Sequence, residues 1–113
     1  MKYDFNMGEL CPATYAFHVI GGKWNLPILA IISEVEVIRY NELKRRLIGI
    51  TGTTLTNCLK DLMEHGIIHR EQYNEIPPRV EYSLTGSGKE LVPILESLVL
   101  WGQRNVNNCP TMK

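Results

Sequence analysis

The chain has 113 residues, 44% of them hydrophobic and 21% charged, with 12 Lys and Arg balanced by 12 Asp and Glu. That length supports one domain with a real core and is too short for two, and the composition excludes disordered and fibrous classes. No run reaches the ~20 apolar residues needed to span a bilayer, and MKYDFNMGEL lacks the apolar stretch of a secretory leader, so a cytoplasmic protein with no membrane partner is expected. Cys11, Cys58 and Cys109 are odd in number and widely spaced, unlike a secreted disulfide framework, and should be mostly reduced.

In chain order, residues 1–10 read as a partly ordered arm, followed by a domain over 11–109. Cys11-Pro12 places proline at the start of a short helix that runs through Ala16, Val19 and Ile20 and stops at Gly21-Gly22. A second helix is predicted from Trp24 to Ile32; Pro27 is tolerated because the first helical turn has no N–H bonds to lose. Val35 to Arg39 is too short for a helix and reads as a small strand. Asn41 is the expected cap of another short helix, through Leu47.

The next stretch, Ile50 to Gly66, organises the rest. Leu55, Cys58, Leu59, Leu62 and Met63 form one apolar stripe at the helical period, with Thr51 placed to cap it and Gly66 to end it. Thr53, Thr54, Thr56, Asn57 and Lys60 lie opposite, with no carboxylate among them, and such groups suit base edges and phosphates. An isolated amphipathic helix of this kind would ordinarily be only a solvated surface. Two short helices joined through Ile48, Gly49 and Ile50 instead make a helix-turn-helix. Residues 39–60 carry Arg39, Lys44, Arg45, Arg46 and Lys60 against Glu42, a net +4 within a neutral chain. This clustering, rather than net charge, is what attracts phosphate.

After Gly66 the pattern becomes extended. Ile67–Tyr73 and Arg79–Leu84 read as two strands, with Val80, Tyr82 and Leu84 on one side, joined by a tip that Pro77 and Pro78 stiffen. This is a hairpin wing, in which Arg79 either reaches a minor groove or phosphate, or pairs with Glu71 across the strands. Thr85 is placed to cap a last helix whose main stripe is Leu91, Ile94, Leu95, Leu98 and Trp101. Val92, Val99, Leu100 and Val106 widen that stripe beyond one core face, so a second surface, most simply a second copy of the chain, should cover it. Pro93 should kink this helix or mark a late start to its regular part. The architecture expected is α+β, mainly α: a winged helix-turn-helix with a β-hairpin wing and N- and C-terminal dimerisation helices.

Five stretches in order, Cys11-Pro12, IGGKW at 20–24, RYNEL at 39–43, GITGTTLTNCLKDLMEHGII at 49–68 and PPRVEYSLT at 77–85, carry a resemblance to the HxlR-type winged-helix transcription regulators, relatives of the MarR group. Leu91, Pro93, Leu95 and Trp101 match the closing helix. The resemblance implies a homodimer on double-stranded DNA, with half-sites one helical turn, about 34–36 Å, or a multiple of it apart. Relatives often carry a longer polar or basic side chain where this chain has Gly52 and Thr53, so a relative's operator does not carry over. Threonine methyls beside thymine methyls and Asn57 on adenine favour an A·T-containing half-site.

The resemblance also implies a redox-sensing candidate in Cys11, which precedes a helix whose N–H groups favour thiolate. The competing reading is a thiol buried at the dimer contact. Cys58 lies on a core stripe, and Cys109 is either a resolving partner or an ordinary surface thiol. Cys58, His65 and His69 are a weak metal set because Gly66 interrupts the helix and no fourth ligand is evident. Cys11 and His18 would lie about 10 Å apart along a helix, too far for a nucleophile and base. No enzyme, metal or cofactor is expected. The chain reads as a sequence-specific DNA-binding regulator, a repressor in type, on a near-palindromic operator. Thr53, Thr54, Thr56, Asn57 and Lys60 make base and phosphate contacts, Lys44, Arg45 and Arg46 clamp phosphates, and Arg79 serves the wing; the signal is unassigned. The rival is a winged-helix protein-interaction module with only weak, sequence-independent affinity for DNA.

Overall fold

The computed structural model of the protein describes residues 11–110; the expected arm at 1–10 lies outside them. The elements in order are α1 (Pro12–Ile20), α2 (Asn25–Val35), β1 (Val37–Arg39), α3 (Tyr40–Arg46), α4 (Gly52–Glu64), β2 (Ile68–Tyr73), β3 (Arg79–Leu84) and α5 (Gly86–Asn105), with a short 3-10 turn at Val106–Asn108. The architecture is mainly helical, with a small antiparallel sheet in the order β1-β3-β2. β3 is central, pairing Ile38 with Tyr82 on one side and Tyr82 with Arg70 on the other.

The core forms where the apolar stripes of the helices converge on that sheet. Ile28, Leu29 and Ile32 of α2, Leu43 of α3, and Leu55, Leu59 and Leu62 of α4 are its most enclosed side chains, with Ile38 and Tyr82 contributing from the sheet. Asn25 is buried among them, and its side-chain N–H donates to the Val19 carbonyl at 2.9 Å, which removes the desolvation cost of an unpaired amide.

Two differences from the sequence reading concern boundaries. α2 continues one turn beyond Ile32 to Val35, ending at Glu36 with φ 70°. Asn41 does not cap α3: the helix begins at Tyr40, and Arg39, its N-cap residue, provides no side-chain cap. The reason is the sheet, since Arg39 is still paired with Glu81 and the chain must turn immediately after it.

The third difference is in α5. The helix is continuous over 20 residues with Pro93 inside it, so Pro93 does not delay its start. Leu95 is buried and Leu91 packs on the core, but Ile94, Leu98 and Trp101, expected in the main stripe, are 57%, 42% and 62% exposed. The stripe therefore splits. Val92, Leu95 and Val99 line an open cleft against Leu26, Leu29 and Ala30 of α2, while Ile94, Leu98 and Trp101 are uncovered among the described residues.

Candidate nucleic-acid interface

α4 is held by its two ends. At the start the Thr51 hydroxyl accepts from the Thr54 amide at 3.1 Å, the expected cap. The turn before it passes through Gly49 at φ 91°, a conformation that side chains disfavour. Tyr40, at the start of α3, donates its phenol to the Gly52 carbonyl at 3.2 Å and lies 3.4 Å from the Thr56 hydroxyl. A Cβ at position 52 would lie 3.4 Å from that phenol oxygen and 3.8 Å from Lys44 Cε. Both are ordinary van der Waals distances, so α3 and the lysine lie beside the first turn of α4 without requiring glycine at this position. Tyr40 is a positioning residue that the sequence did not single out, because its partner is twelve residues away.

The far end of α4 is knotted to the wing and to α5. Gly66 takes φ 69°, and the Thr85 hydroxyl proton is shared between the carbonyls of Gly66 at 2.6 Å and Ile67 at 3.0 Å. The same oxygen accepts from the Gly88 amide at 3.1 Å, capping α5. Gly88 is buried there: a Cβ on it would sit 2.3 Å from the Ile67 carbonyl oxygen.

Between these ends Thr53, Thr56, Asn57 and Lys60 are all exposed, while Leu55, Leu59 and Leu62 are buried. The four exposed residues fall at i, i+3, i+4 and i+7, a single outer stripe. Thr54 is half-buried and its hydroxyl accepts from that of Thr51 at 3.0 Å, so it belongs as much to the cap as to the surface. Glu64, one turn beyond Lys60, is exposed and places a negative charge at the end of the stripe. Cys58 is half-buried on the inner side; burial pushes its thiol pKa up and the Asp61 carboxylate adds to this, keeping it a neutral filler.

The flanking cations divide into bound and unbound. Glu42 pairs with Arg45, and also accepts from Arg46 Nε at 3.0 Å. Lys44 is exposed and, among the described residues, in no ion pair. On the wing, Arg79 pairs with Glu75 at 3.1 Å and stacks over Tyr73, its guanidinium carbon 4.1 Å from the ring centre. Its Nε lies 3.3 Å from a Glu81 oxygen, within ion-pair range but not aligned as a hydrogen bond. Arg79 is occupied inside the hairpin, by Glu75 and Glu81 rather than by the Glu71 anticipated. Arg70, exposed on β2 and bonded only to the neutral Gln72 side chain at 3.3 Å, is the outward wing cation, and the sequence reading passed it over. The tip carries a cis Ile76-Pro77 peptide, with Ile76 fully exposed.

The remaining candidates separate. Cys58, His65 and His69 do not converge: His69 pairs with Glu71 on the wing at 2.8 Å, and His65 turns toward Asp61 and His18. Cys11, the N-cap residue of α1, is 3% exposed within one chain, so its burial does not depend on a dimer contact. No helix of the described residues is long and apolar enough to cross a membrane.

A capped helix with a polar outer stripe, a preceding short basic helix and a following two-stranded wing define a winged helix-turn-helix regulator. Comparison with known proteins gives the same class: residues 19–110 match the HxlR-like helix-turn-helix family, and the chain belongs to that family. It is 45% identical over 97 residues, 86% of each chain, to an uncharacterised HTH-type transcriptional regulator of Halalkalibacterium halodurans. Among solved structures it is similar to the redox regulator HypR in its oxidised form, at 41% identity and TM-score 0.77, covering 84% of this chain and 97% of that one. It also resembles the reduced form of the transcriptional regulator YodB of B. subtilis, at 27% identity and TM-score 0.75, covering 84% and 93%. The protein is thus a transcriptional regulator of the helix-turn-helix type.

Proposed function

We propose that the protein is a homodimeric, sequence-specific DNA-binding repressor whose α4 enters the major groove of a near-palindromic operator. The observation that carries this reading is the outer stripe of α4. Thr53, Thr56 and Asn57 stand exposed on a helix whose inner face is buried, with Lys60 at the end of the stripe and Lys44 beside its start. Asn57 both donates and accepts, as adenine recognition requires, and the threonine methyls suit thymine. Thr54 contributes through the cap that orients the first turn. Glu64 repels phosphate, so readout is confined to the N-terminal two turns. Lys44 is the leading phosphate clamp; Arg45 and Arg46, both paired with Glu42, would divide their charge between it and the phosphates, and Arg79 serves by stiffening the wing from which Arg70 and the tip approach DNA. The uncovered part of α5 supplies the dimer contact.

Cys11 is proposed as the thiol through which oxidants act on this dimer, a reading favoured by the likeness to a redox regulator and by its place at the start of α1. Its burial means that oxidation requires α1 to loosen, and DNA affinity then changes through the dimer geometry rather than through α4. The test is binding of the reduced protein to its own promoter DNA against a scrambled competitor, repeated after diamide. Tight binding to the promoter alone supports the regulator; equal, weak binding to both favours a protein-interaction module. A change on oxidation that dithiothreitol reverses and Cys11→Ser abolishes assigns the sensor.

A further inference from the structure

The junction of α1 with the C-terminal end of α4 brings together three groups that the DNA-binding reading leaves unused. One ligand-capable atom from each of His18, Asp61 and His65 lies within 4.8 Å of the other two. Asp61 and His65 stand at i and i+4 around the end of α4, where His65 is the cap residue, so the helix sets their spacing. Asp61 Oδ1 and His65 Nδ1 are 3.5 Å apart. His18 arrives from the last turn of α1, its ring edge-on to that of His65 with centroids 5.5 Å apart.

We propose that His18, Asp61 and His65 form a binding site for a divalent first-row transition metal ion, with Zn2+ as the reference case, that ties α1 to the end of the recognition helix. Donor atoms around a tetrahedral ion with bonds of about 2.1 Å stand about 3.4 Å apart. The Asp61–His65 edge already has that length; an ion is reached by rotating the exposed His18 side chain and turning His65 off the Asp61 carbonyl that its Nδ1 faces. Two imidazoles and a carboxylate suit zinc and its neighbours, whereas calcium and magnesium take oxygen donors throughout. Nor is the cluster needed to satisfy its own members. His65 Nδ1 lies 2.8 Å from the Asp61 backbone carbonyl, which leaves the Asp61 carboxylate available, and His18 makes no hydrogen bond or ion pair among the described residues. With Nδ1 of His65 as donor, the Nδ1–H bond to the Asp61 carbonyl is given up and the ring proton passes to Nε2; the metal bond takes its place, the imidazole stays neutral and no redox change occurs. Water completes the fourth position.

This site stands whether or not the chain binds DNA. The test uses tag-free, reduced, chelator-stripped full-length protein, titrated calorimetrically with Zn2+ and followed in visible absorption with Co2+. The expected result is one ion per chain and a four-coordinate Co2+ spectrum without a thiolate charge-transfer band. Affinity should fall by about 100-fold or more in His18→Gln and in Asp61→Asn, and hold in His69→Gln and Cys58→Ser. His18 is exposed, so its variant tests the site without disturbing the core; circular dichroism checks that each variant is folded. Absence of stoichiometric binding in the native chain overturns the proposal. So does affinity unchanged by His18→Gln, or a thiolate band that disappears with a cysteine substitution.

Discussion

In the proposed interface Asn57 and Lys44 take different parts of one task. Asn57 is exposed mid-stripe on α4, where its amide can match a single base edge, while Lys44 offers a mobile point charge. Asn57→Ala should therefore cost about 1–3 kcal/mol on the preferred operator and relax selectivity at one position. Lys44→Ala should weaken all sequences alike and flatten the log-log salt dependence by about 0.9 per subunit, about 1.8 for the proposed dimer. Fluorescence anisotropy with matched and singly substituted operators at several salt concentrations separates the two; equal loss across all sequences for both variants would refute this division of roles. Much at this scale was legible in advance. Thr51 and Thr85 cap as expected because a cap acts over three residues and needs only local chemistry. Asn41 fails as a cap and Arg79 as a free wing cation because tertiary partners decide both: the strand pairing of Arg39 fixes where α3 begins, and Glu75, Glu81 and Tyr73 close around the guanidinium.

Among the elements, α4 and the hairpin matched their sequence patterns, since a helical stripe with a cap at one end and a glycine at the other has few alternatives. The strand Arg79–Leu84 has the bounds expected from its alternation. α5 was only half legible. Apolar residues at the helical period look the same whether they face a core or a partner, so the division of Leu95 from Ile94, Leu98 and Trp101 could come only from the fold. Gly88 shows the opposite limit, a helical glycine whose necessity nothing nearby in sequence reveals. In an ordinary helix Gly→Ala stabilises by about 1 kcal/mol. Here the new methyl would meet a backbone carbonyl at 2.3 Å, and overpacking of that kind costs about 1–3 kcal/mol. Gly88→Ala should consequently lower the urea midpoint with little change in m; a raised midpoint would mean that α5 is not seated against Ile67.

At the scale of the molecule, the face of α5 left uncovered among the described residues is a demand that one chain does not meet. The proposed dimer would meet it, and Leu98→Glu is then expected to yield folded monomers in sedimentation equilibrium and to abolish operator binding. Retention of the dimer would move the interface elsewhere. The knot at Thr85 gives this arrangement a mechanical meaning. Two carbonyls leaving the recognition helix and the first turn of α5 are gripped by one hydroxyl, so α5 acts as a stiff arm clamped at its base. A 20-residue helix is about 30 Å long, and tilting it by about 10° moves its tip by about 5 Å. In the proposed dimer, which holds the two tips together, the displacement would appear instead at the opposite ends, where the reading heads would straddle a fixed length of duplex. Such a pair would behave as calipers, and a small rotation at the handle would be enough to take the jaws out of gauge.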